Sequence, residues 1–159
     1  MTDRFERLAS IDCRDHIKKK GKFSYLSWAW AWDTLKRECP EATFTKHTFP
    51  YKDGQGYVPY MIDEEGFAYV QVSVHVEGET QTEVFPVLNH SNNPIRSPGS
   101  FDVNTALQRA LVKAIAMLGL GLYIYAGEDI PEGASPYTPK EEDEMYRQSV
   151  KDELQDVFK

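Results

Sequence analysis

Arg109 and Lys113, with Gln108 beside them, are the side chains whose spacing carries the clearest chemical meaning. Residues four apart project from one side of a helix, so this pair sets two positive charges along one edge, an arrangement suited to an anion. A second group, Lys18, Lys19, Lys20 and Lys22 in the run HIKKKGKF, has the density of a phosphate-contacting arm. The same run also reads as a solvated loop, and a charged helix edge is commonly just wet. Arg96 is the one permanent charge of the polar loop NHSNNPIRSPGS at 89–100, which leads into the helix carrying Arg109. A loop in that place suits closure over a ligand as well as plain connection.

Covalent and metal chemistry find no footing. There is no CxxC or HExxH pattern, and His16, His47, His75 and His90 are scattered, so neither a metal nor another cofactor is expected. No GxSxG elbow exists. Gly21-Lys22 is not a phosphate-binding P-loop: His16 stands where its first glycine belongs, and Phe23 where Ser or Thr belongs. Gly119-Leu120-Gly121 follows a helix rather than a strand, which excludes a dinucleotide fingerprint. Asp63-Glu64-Glu65 and Glu128-Asp129 read as turn or segment-end carboxylates rather than a nuclease centre. The expectation is a binding protein, not an enzyme.

The elements that position these groups follow from periodicity. Val103, Ala106, Leu107, Ala110, Leu111, Ala114, Ile115 and Leu118 fall at i, i+3, i+4, i+7 and onward without a miss, the pattern of an amphipathic helix over about 103–118. Asp102 or Asn104 is placed to cap its start, and Gly119 to end it. The opposite face would carry Gln108, Arg109, Lys113, Val112, Ala116 and Met117. Residues 3–10 suit a short helix with Phe5, Leu8 and Ala9 on one side. Trp28, Ala31, Trp32, Leu35 and Cys39 keep helical spacing, so a helix is expected over 28–38, capped by Ser27 and stopped by Pro40. Trp30 is then left on its far face, exposed, as an anchor for an oligomer interface or a base-stacking platform.

Strands are expected over 43–51, over 57–62 (weakened by Pro59), over 67–77 and over 80–88 (Pro86 marking an edge or a bulge). The third is the cleanest, with Ala68, Val70, Val72, Val74 and Val76 at period two. The fold class is therefore α+β: an antiparallel meander of about four strands covered by one long helix, with an N-terminal Trp-rich helix and a C-terminal amphipathic helix. The organisation reads as a core domain over 1–130, a Pro-rich linker over 131–139, and an acidic helix over 140–159. Thr138, Pro139 and Glu141 suit a helix start, and Tyr146, Val150, Leu154 and Val157 form its stripe, which suits packing at home or binding a partner.

A net charge of −7 over 159 residues argues at first against nucleic acid. The charge is uneven, however. Residues 131–159 hold eight acids and four bases, whereas residues 1–46 hold ten bases and seven acids, so the global sign is a weak guide to any local patch. Cys13 and Cys39 make no disulfide framework and suit a reducing compartment. No apolar run reaches membrane length, and no signal peptide is expected.

Two blocks, LSWAWAWDTLKRECPEATF and FDVNTALQRALVKAIAMLGLGLYIYAGEDIPE, resemble the signature blocks of the Sak-type phage single-strand annealing proteins, a family similar to the eukaryotic annealing protein Rad-fifty-two. The resemblance runs from about Tyr25 to Glu132. It implies a β-meander crossed by a long helix, and assembly into homo-oligomeric rings or filaments. It further implies a groove that holds single-stranded DNA by its backbone for ATP-independent annealing in recombination and repair, in the cytoplasm (that of the host cell if the chain is phage-encoded). Where the related motif reads A-L-K-R-A-L-R, this chain has Ala106-Leu107-Gln108-Arg109-Ala110-Leu111-Val112, so Arg109 keeps its cation and Lys113 adds one. DNA contacts are thus expected at Arg109, Lys113, Gln108, Lys18, Lys19, Lys20, Lys22 and Arg96. A single-strand-binding protein or an exonuclease are the candidate protein partners. Two other classes remain open: a single-strand-coating protein without annealing activity, and an oligomeric interaction scaffold.

Overall fold

The computed structural model describes residues 3–20 and 23–126, together with 144, 147–152 and 154–155. The chain divides into two compact units, Met1–Tyr125 and Ala126–Lys159. The first opens with helix α1 (Arg4–Ala9), which buries Leu8, and a 3-10 turn (Arg14–His16). A hairpin follows, β1 (Ile17–Lys20) against β2 (Phe23–Leu26). Helix α2 (Trp28–Glu38) keeps the bounds its spacing predicts, with Ala31 and Leu35 buried.

Next come four short strands, β3 (Thr43–Lys46), β4 (Phe49–Pro50), β5 (Tyr57–Val58) and β6 (Met61–Ile62). Two long ones, β7 (Ala68–Val76) and β8 (Glu79–Pro86), precede helix α3 (Ser100–Ala116) and a 3-10 turn (Leu122–Tyr125).

The fold is α+β with antiparallel sheets, but the expected meander is only partly present. β7 is central. β8 runs along one edge of it, from Tyr69↔Pro86 to Val76↔Glu79. β3 and β6 share the other edge, opposite Val72–His75 and Ala68–Tyr69 respectively. The two strands expected over 43–51 and 57–62 are each broken in two. Pro59, between β5 and β6, carries no amide hydrogen for a ladder, and the first strand breaks at residues 47–48, before the paired Pro50. The segment between the two breaks folds on itself as a separate β4–β5 hairpin, closed by Tyr51 N–H donating to Gly56 O at 2.9 Å. β8 pairs only with β7 among the described residues, so the strand holding Pro86 is an edge.

α3 packs against β7 and β8 and also touches α2. Its stripe meets the valine face, with Val70, Val72, Val74 and Ile115 each fully buried. Contact with α2 explains a departure from expectation. Val112 and Ala116, assigned to the outer face, are buried at 3% and 2% exposure, and of that face only Met117 is exposed, at 50%. The helix also starts earlier than its stripe. Gly99 occupies the capping position with no side-chain cap, and Val103 N–H donates to Gly99 O at 3.1 Å. Asp102 and Asn104 therefore lie within the helix, where Asp102 sits favourably in the first turn near the positive dipole end.

Gly119 ends the helical segment for two physical reasons. Its φ is +122, and a Cβ there would lie 2.6 Å from the backbone oxygen of Phe5. α1 thus lies directly on the exit from α3. Among the described residues no helix is long and apolar enough to cross a membrane.

In the second unit residues 147–152 are helical, and Val150 and Leu154 are exposed. The expected linker over 131–139, the helix start at Thr138–Glu141, and Tyr146 and Val157 lie outside the described residues.

Candidate nucleic-acid interface

The site is built on α3, β8 and the 89–99 loop. β8 places Phe85 opposite Val70, on the buried face of the sheet. The helix stands over it, so the two cations spaced one turn apart reach the same ring. The Arg109 guanidinium carbon lies 4.8 Å from the Phe85 centroid, and Lys113 Nζ lies 5.4 Å from it. Lys113 Nζ is also 5.4 Å from the Tyr125 ring. Both cations are half-buried, as is Gln108. A cation over an aromatic face gains about 0.5–1 kcal/mol when exposed and about 2 when desolvated. Arg109 and Lys113 are therefore seated on aromatic surface, not waving from a wet helix edge. Glu83 shares the Phe85 face of β8, so the neighbourhood is not uniformly positive.

The loop is a folded turn. Asn89 Oδ1 accepts from the backbone N–H groups of Ser91 and Asn93, at 2.9 and 3.0 Å. Asn92 Oδ1 then accepts from Arg109 Nη1 at 2.8 Å, joining loop to helix. Arg96 lies farther along, with its guanidinium carbon 5.2 Å from the Phe67 centroid and its backbone bridged to Phe67.

The basic run is a strand where a loop or arm was expected. Lys18 and Lys19 are exposed on β1, opposite Tyr25 and Ser24, and being adjacent they point to opposite faces of the hairpin. Lys20 is placed by its backbone pairing with Phe23, and Lys22 lies outside the described residues. β2 packs against the 122–125 turn, the same turn that presents Tyr125 to Lys113. The hairpin and the cationic edge of α3 are thus joined through one turn.

Trp30 differs from its expected exposure. It is half-buried and stacks flat on His16, with centroids 4.3 Å apart and planes at 11°. His16 precedes the hairpin and shields the ring that helical spacing alone leaves outward. Trp32 meets Phe44 edge-on at 4.9 Å, which leaves Trp28, at 43% exposure, as the outward tryptophan.

Phe85, Tyr125 and Asn92 stand beside the two cations, and no spacing rule marks them. Among the described residues no group of three or more His, Cys, Asp or Glu could hold a metal ion. Chemically the arrangement can hold an anion by charge and by N–H donors, with aromatic rings beneath.

Cations backed by aromatic rings on a long helix make a surface suited to an anion. The family is more specific. The chain belongs to the Sak single-strand annealing protein family, whose model matches residues 3–155. No curated protein and no solved structure matches it.

Proposed function

We propose that the protein anneals complementary DNA single strands without ATP, as a homo-oligomeric ring or filament, by holding each strand along its phosphates. The observation that carries this reading is the pair Arg109 and Lys113 seated on Phe85, with the loop that holds Arg96 bonded to Arg109 through Asn92. Family membership supplies the substrate class. Annealing requires neutralising two strands that repel each other while leaving base edges free to sample a partner. Backbone-directed cations without a base-reading array meet that requirement. Lys18 and Lys19, and with them Lys20 and Lys22, are the second proposed group of phosphate contacts, and Gln108 adds an amide at the helix edge. In this reading Trp28, and with it the partly shielded Trp30, contributes to the contact between subunits.

The test mixes complementary oligonucleotides with and without protein in the absence of nucleotide. Accelerated duplex formation supports the proposal. Binding that slows duplex formation would indicate a strand-coating protein, and absence of binding would indicate a scaffold.

A further inference from the structure

We propose that Asn92 is a positioning residue for Arg109: its side-chain amide fixes the guanidinium over Phe85 without cancelling its charge. The inference rests on the phosphate-holding reading of α3 given above. Three observations carry it. Asn92 Oδ1 accepts from Arg109 Nη1 at 2.8 Å, a bond between residues 17 positions apart that crosses from loop to helix. The backbone of Asn92 is left-handed, with φ +60. Asparagine adopts that conformation more readily than most side chains. The conformation is held by Asn92 N–H donating to Asn89 O at 3.0 Å and by the two backbone bonds that Asn89 Oδ1 accepts. The folded turn thus delivers one amide oxygen to one place.

The chemistry of that oxygen matters. A guanidinium has five N–H donors. An amide engages one through a neutral oxygen and brings no negative charge of its own to the guanidinium. A carboxylate in the same place would bind Arg109 more strongly but would neutralise it. Holding a long side chain in advance also lowers the ordering cost of a contact, worth about 0.5–1.5 kcal/mol per immobilised side chain, or about twofold to tenfold in affinity.

The experiment measures binding of the full chain to fluorescein-labelled oligo-dT across a salt series. The variants are Asn92→Gly, Asn92→Asp, Arg109→Gln and the Asn92→Gly, Arg109→Gln double. Asn92→Gly keeps the left-handed backbone and drops the amide; it should weaken binding about twofold to tenfold with an unchanged salt slope. Asn92→Asp is nearly isosteric and guards against misfolding; it should reduce the slope by nearly one phosphate contact, about 0.7. In the Arg109→Gln background, Asn92→Gly should cost nothing further. An Asn92→Gly loss that persists undiminished in that background would overturn the proposal, since Asn92 would then act elsewhere. Parental affinity and slope in both Asn92 variants, with Arg109→Gln weakened, would overturn the positioning role alone. Parental binding by Arg109→Gln would overturn the reading beneath it.

Discussion

The negative face of Phe85 offsets part of the repulsion between a guanidinium and an ammonium one helical turn apart. Both are half-buried beside that ring. Replacing Arg109 and Lys113 together by alanine should lower the log-log salt slope of single-strand binding by about 1.4, two contacts at about 0.7 each. It should also slow annealing on every sequence alike. Parental binding and annealing by a folded double variant would move the groove elsewhere. The two cations were legible because i, i+4 spacing is local. Phe85 and Asn92 were not, because only the packing of α3 on β8 and the turn of the 89–99 loop bring them there. Trp30 was misjudged for the same reason, since His16 covers it from outside its helix. A separate pair, Asp12 and Arg14, gives a pH prediction. Hydrogen bonds from Arg14 lower the Asp12 carboxyl from its ordinary 3.8 to about 2. Any stability it adds is complete above 3.8 and lost as pH falls through about 2. The pair is exposed, so the effect on folding should be small. An NMR titration should place Asp12 near 2 and return it toward 3.8 in Arg14→Gln.

At the scale of elements, α3 is the common wall of the core and of the site, and its two ends and its buried stripe can be tested separately. Leu111 lies in the stripe at 3% exposure. Leu111→Ala should cost about 2–5 kcal/mol, read as a shift of the denaturant midpoint. A loss near zero would remove the stripe from the core. Gly119→Ala should be at least as informative despite adding a single methyl group. The left-handed backbone costs a non-glycine residue about 1–2 kcal/mol, and the added Cβ would meet the Phe5 oxygen at 2.6 Å, so α1 must also move. A total loss below about 1 kcal/mol would show that α1 yields freely. The helices were readable because their stripes repeat over many residues: α2 matches its expected bounds, and β7 its valine alternation. The short strands were not, because β3 to β6 hold two to four residues each, too few for a repeating pattern to show where one ends and the next begins. The early start of α3 was hidden because Gly99 caps it through its backbone, without a side-chain signal.

For the whole molecule the governing question is how a chain of net charge −7 holds a polyanion. Uneven placement supplies part of the answer, since residues 1–46 hold ten bases against seven acids while residues 131–159 hold eight acids against four bases. In the proposed assembly, number supplies the rest. If Arg109, Lys113 and Arg96 each hold a phosphate, one subunit has a salt slope of only about 2, which is weak at moderate salt. Subunits joined in a row turn later contacts into intramolecular ones and hold a long strand tightly without any stronger single contact. Repeated head-to-tail contact between unlike surfaces closes into rings or extends as filaments. The edge of β8 that pairs with no strand among the described residues, and the exposed Trp28, are the surfaces proposed for such contact. Light scattering should therefore give a mass several times 18.2 kDa, and affinity for oligo-dT should climb steeply with oligonucleotide length until one assembly is spanned. Trp28→Ala should shift the mass downward and flatten that length dependence while leaving the salt slope on a very short oligonucleotide unchanged. A single 18.2 kDa species with and without DNA, together with affinity independent of length, would mean that each subunit acts alone and that annealing by a row of shared grooves is not its mechanism.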